Sequence, residues 1–136
     1  MSIWSHVAMV FRIDGVRGIQ GEPDFETVFG KTLLFSDPIS KWHEAENHPS
    51  RYLPLGSEGS LQMSVWENPN TSCLASYTVT IFGDLRDHEQ PDELIHWFRE
   101  KCSKLWIRQA VITIDNNLSG VITETYGEEE YDTNLM

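Results

Sequence analysis

GSLQMSVWENPNTSCLASYTVTIFGDLRDHEQPDELIHWFREKCSKLWIRQAVITI, residues 59–114, decides the fold, because it reads strand, loop, strand, helix, strand almost without a gap. Leu61, Met63 and Val65 alternate with Gln62, Ser64 and Trp66, the period-two pattern of a strand with one apolar face. Tyr77, Val79 and Ile81 alternate with Thr78, Thr80 and Phe82, a β-branched and aromatic run. The turn residues Glu67-Asn68-Pro69-Asn70 between them predict a hairpin. Pro91-Asp92-Glu93 then opens a helix. Its apolar stripe is Leu94, Trp97, Phe98, Cys102 and Leu105, with Lys101 and Lys104 near the C-terminal end, where cations suit the helix dipole. Ile107–Ile114 is the next strand, and Val121-Ile122-Thr123 returns as one more after the turn Asp115-Asn116-Asn117.

Working back from that stretch, Trp4–Ile13 is a strand with apolar residues on both faces: Val7, Met9, Phe11 and Ile13 on one, Trp4, Ala8 and Val10 with His6 on the other. Such a strand is expected at the centre of a sheet and covered at least partly on both sides. The glycine-rich stretch Gly15–Gly21 reads as a loop. Pro23 opens a helix with Phe25, Val28, Phe29, Thr32 and Leu33 toward the core and Gly30 as a candidate cap. Leu33–Phe35 is expected to form a short strand. Ile39, Trp42, Ala45 and Glu46 fit a surface helix ending before Pro49, followed by an extended loop, Tyr52–Gly56. The order β-α-excursion-β-β-α-β is that of an α+β, ferredoxin-like (split β-α-β) plait: an antiparallel sheet, two main helices on one face, an inserted excursion and an extra C-terminal strand. Another sheet order with the same elements is the structural alternative. A single domain over 1–123 and an acidic tail over 124–136 complete the layout.

The formal net charge is −11. Residues 1–58 and 59–123 each hold eight acids against five bases, and the last thirteen residues hold five acids and no base. This field repels a phosphate backbone, so direct nucleic-acid binding is not expected, whereas a basic protein is a natural partner. Two cysteines, Cys73 and Cys102, make no disulfide framework. With no leader and no membrane span in the sequence, a cytoplasmic protein is expected.

No nucleotide-binding loop or catalytic motif is present, and no cofactor is implied. The polar run Gly83-Asp84-Leu85-Arg86-Asp87-His88-Glu89 closes a strand before a helix. In the plait it lies beside the start of the first strand, so His6, Asp84, Arg86, Asp87 and His88 are the candidates for one site; the ordinary account is a solvated loop serving the next helix. Asp84, Asp87 and His88 are weak metal candidates. His43-Glu44-x-Glu46-x-His48 lacks the i, i+4 histidine pair and reads as helix surface.

The segments 59–69, 77–87 and 105–114 resemble small acidic accessory proteins encoded by bacteriophages. That resemblance implies binding of a host protein or sequestration of a small signalling molecule. The first expectation is therefore a non-enzymatic binding protein, an accessory or anti-defence factor in the host cytoplasm. It would hold a basic host protein through Trp42, Tyr52 and the tail acids Glu128, Glu129 and Glu130. The alternative is a homo-oligomer that captures a nucleotide-type small-molecule ligand between protomers through His6, Arg86, His88 and Arg108. A metal-dependent hydrolase at Asp84–His88 comes last.

Overall fold

In the computed structural model, residues 3–16, 23–68, 76–87, 91–118 and 120–127 are described. Cys73, His88, Glu128, Glu129 and Glu130 lie outside them, as do most of the expected Gly15–Gly21 loop and the turn after Asn68. Five strands form one open antiparallel sheet: β1 (Trp4–Val16), β2 (Gly59–Glu67), β3 (Tyr77–Arg86), β4 (Leu105–Asn116) and β5 (Gly120–Gly127), in the order β2-β3-β1-β4-β5. Three helices accompany it among the described residues: α1 (Phe25–Phe29), α2 (Ile39–Asn47) and α3 (Pro91–Ser103). The fold is α+β. No helix among the described residues is long and apolar enough to cross a membrane.

The hairpin is real: Leu61 pairs with Gly83, Met63 with Ile81 and Val65 with Val79. β1 is central, hydrogen-bonded to β3 on one side and β4 on the other. Its two faces are covered unequally, with only Trp4 and Val10 half-buried on the second. Val7, Met9, Phe11 and Ile13 are at most 3% exposed, while His6, Ala8 and Arg12 on the opposite face are exposed. The helices lie on the first face only. The Phe11 ring sits 4.8 Å from Phe29 of α1 and 5.2 Å from Phe98 of α3, so both helices meet over β1. Each such ring buried from water contributes roughly 2–3 kcal/mol of transfer free energy.

α1 is a single short turn because Asp24 caps it, accepting from the Glu26 N–H at 3.1 Å and the Thr27 hydroxyl at 2.9 Å, and Gly30 ends it. Gly30 has φ 117°, and a Cβ there would sit 2.5 Å from the Tyr52 carbonyl carbon. Glycine is needed for this close approach, which sets the excursion against the end of α1.

The short strand expected at Leu33–Phe35 does not form; a lone parallel bridge joins Lys31 to Tyr52 instead. Thr32 and Leu33 fall outside α1, and Leu105 starts β4 and is not part of α3. The excursion holds a small core of its own, in which Leu33, Ala45 and Tyr52 are buried and Trp42 and Leu55 pack around them. β5 runs past the boundary expected at residue 123: Glu124 lies within it and pairs with Arg99 of α3.

Candidate functional site: the open face of the sheet

Strand parity builds this surface. With one set of side chains committed to the core, the residues between them point away from the helices, where no described element covers them. The register aligns them in rows across the sheet. Ser60, Asp84, His6, Asp115 and Val121 form one row, and Gln62, Phe82, Ala8, Thr113 and Thr123 the next. At the far end Trp66, Thr78, Arg12 and Gln109 stand abreast.

At the first end His6 Nδ1 lies 2.7 Å from Asp84 Oδ1, with both side chains about half exposed. The histidine pKa is raised, first by this hydrogen bond; partial desolvation opposes the shift, and the negative charges of Asp84 and Asp115 add to it. Asp115 is the other cross-strand neighbour of His6. Around them lies a depression of about 590 Å³ lined by Ala8, Ser60, Gln62, Phe82, Asp84 and Asp115 among others. Phe82, on its wall, is 45% exposed. Two carboxylates beside an exposed ring make a seat for a cation: the ring face attracts positive charge, and the carboxylates accept its hydrogen bonds.

The opposite end has other chemistry. Arg108 reaches Asp14 at 3.3 Å, and a smaller depression of about 220 Å³ lies among Arg12, Trp66, Thr78 and Arg108. Trp66 and Trp106 are each more than half exposed. His6 and Asp14 are eight residues apart along β1, about 26 Å at strand rise. Arg108 therefore shares no site with His6 within one chain.

The remaining sequence-derived candidates are distributed as follows. Arg86 is held by Glu58 at 2.7 Å and lies 3.7 Å from Asp87. Asp87 accepts from the Ser57 hydroxyl at 2.8 Å and the Ile3 N–H, and these bonds lower its pKa, the hydroxyl most. Asp87 is thus a fastener for the N-terminal edge. Among the described residues no group of three or more His, Cys, Asp or Glu side chains is arranged to hold a metal ion. Tyr52 is 4% exposed, so it offers no contact surface, and Trp42 packs against the same small core. Of the two residues expected to face a partner, Tyr52 is held inward by the close pass of Gly30, while Trp42 is half-buried. Cys102 is buried, which pushes its thiol up to about 12 and leaves it an inert core residue.

Sequence reasoning missed Phe82, Asp115 and Phe35. Phe82 shares parity with Asp84 and is found once the hairpin fixes which face is core. Asp115 was read as a turn residue and becomes a neighbour of His6 only through the β1–β4 register. Phe35 is 85% exposed in a turn where Asp37 accepts from the Leu34 N–H at 2.7 Å; nothing in its apolar surroundings signals that.

No protein-family model, curated protein or solved structure matches this chain.

Proposed function

We propose that this chain is a non-enzymatic binding protein whose open sheet face takes an arginine-rich segment of a basic partner protein. One observation carries it: Phe82 lies exposed in a depression whose charged rim, His6 apart, is the two carboxylates Asp84 and Asp115. The net charge of −11 supports the choice of a basic partner, by steering it in and repelling nucleic acid. Glu128, Glu129 and Glu130 of the tail add to the same long-range field. The more specific role of an anti-defence factor acting in a host cytoplasm is part of the same proposal. The ferredoxin-like plait belongs to this proposal too. In its favour are the order β2-β3-β1-β4, antiparallel throughout, and the helices between β1 and β2 and between β3 and β4.

Fluorescence anisotropy with a labelled arginine-rich peptide tests the reading. Binding should weaken as salt is added, and should weaken at least tenfold in Asp84→Asn/Asp115→Asn, with a smaller loss on removing residues 128–136. Salt-independent binding, or full affinity in the double variant, would refute it.

The contrast between the two ends supports a second reading, the homo-oligomer. Stacking two copies face to face about a two-fold axis would set the Arg12–Arg108 end of one against the Asp84–Asp115 end of the other. Its signature is a native mass of twice 15.7 kDa that falls to one chain in the Asp84→Asn/Asp115→Asn variant.

A further inference from the structure

On the helical side of the molecule, Lys101 of α3 is only 5% exposed. Among the described residues its ammonium forms no hydrogen bond or ion pair; the Trp97 ring centroid lies 5.5 Å away, and the charges of Glu100 and Lys104 act on it from nearby. The other lysine of this turn, Lys104, is occupied by Glu100 at 3.3 Å. An unpaired buried ammonium is costly, and a sequence with no use for it would place a leucine or methionine there.

Two depressions meet at this residue. One, of about 410 Å³, runs between α3 and the 49–55 segment and is walled by Leu53, Leu55, Leu94 and Trp97. The other, of about 360 Å³, opens toward Val16, Thr27 and Lys104. Lys101 and Ser50 line both. An apolar trough thus leads to a junction holding a cation and a hydroxyl, the arrangement that fits a chain or ring with a charged head. The first volume falls within the range of small-molecule sites. Glu93 and Glu100 line the trough as well; Glu100, beside Lys101, is engaged by Lys104 at 3.3 Å, which offsets its charge at the head end.

We propose that this junction is a binding site for an amphipathic anion, its carboxylate or phosphate head on Lys101 and Ser50 and its apolar tail along Leu53, Leu94 and Trp97. Desolvation first, and the neighbouring Lys104 charge second, lower the Lys101 pKa, while Glu100 opposes them. The site lies across the molecule from the Phe82 depression, so the two stand or fall separately.

Isothermal titration calorimetry with octanoate, octyl phosphate and uncharged octanol tests it. At least one of the two anions should bind at a single site, at least tenfold tighter than octanol, and the better of them identifies the head group. Lys101→Met should abolish that preference, whereas Asp84→Asn/Asp115→Asn should leave it unchanged. In the wild-type chain the methyl resonances of Leu53, Leu55 and Leu94 should shift on titration, a readout that does not depend on the variant folding. Absence of binding by both anions, octanol binding equally well, an undiminished preference in folded Lys101→Met, or methyl shifts confined to other parts of the protein would overturn the proposal.

Discussion

The two faces of the sheet are made by the same strands one residue out of step, and their chemistry diverges completely. Toward the helices, Met9, Phe11, Val79, Ile81, Ile112 and Ile114 are all 0% exposed. Toward solvent, the intervening positions carry His6, Arg12, Phe82, Asp84 and Asp115, all exposed. The difference shows how period-two geometry separates duties. One set of side chains supplies the stability, which leaves the other set free to be chosen for contact without weakening the fold.

Substituting one residue on each face gives the largest expected contrast. Phe11→Ala removes a ring touching both Phe29 and Phe98 and should cost about 3–5 kcal/mol in denaturant unfolding. Phe82→Ala, on the open face where Phe82 pairs with Ala8 of β1, should cost less than about 1 kcal/mol while impairing peptide binding. Similar costs for both would mean that something covers the open face in the free protein.

A smaller effect probes how the hairpin carries both faces. Gly83 sits opposite Leu61 with φ 154°, and a Cβ there would fall 2.1 Å from the Ser60 carbonyl oxygen. Gly83→Ala should therefore destabilise by about 1–3 kcal/mol. Hydrogen exchange should show the loss concentrated in β2, with β1 and β4 remaining protected.

The smallest effect is the pH response of the open face. Folding raises the His6 pKa above its ordinary 6.5, so the pair with Asp84 stabilises the fold fully below that value and fades as pH climbs through the folded one. Binding should run the other way. As His6 loses its proton, the charge competing for Asp84 disappears, so affinity for an arginine-rich peptide should rise with pH. His6→Gln should flatten both profiles; an affinity that falls with pH in the wild-type chain would contradict the proposed seat.

Much of this architecture was legible in the residues. The hairpin, α3, the strand after it and the cap at Gly30 follow from alternation, proline placement and glycine, all local signals. The central place of β1 was legible as well, but its cover was not. Ala8 and Val10 look like core in the sequence, yet among the described residues the helices lie on the other face, leaving Ala8 exposed and Val10 half-buried. Tyr52 misled for a related reason. Its burial depends on the bridge to Lys31 and the close pass of Gly30, contacts between residues some twenty positions apart. The His6–Asp84 pair was accessible because an antiparallel pairing of β1 with β3 fixes which strand ends adjoin. Asp115 needed the register of a second strand pair, which no local pattern supplies.

The central claim is that the Phe82–Asp84–Asp115 surface is where a basic partner docks. Backbone amide shifts of the isotope-labelled protein, followed through titration with an arginine-rich peptide, test it most directly. The account predicts that the largest changes fall on His6, Phe82, Asp84, Thr113 and Asp115, with α2 and α3 unmoved. Changes centred on the helices, or no saturable change at all, would contradict it.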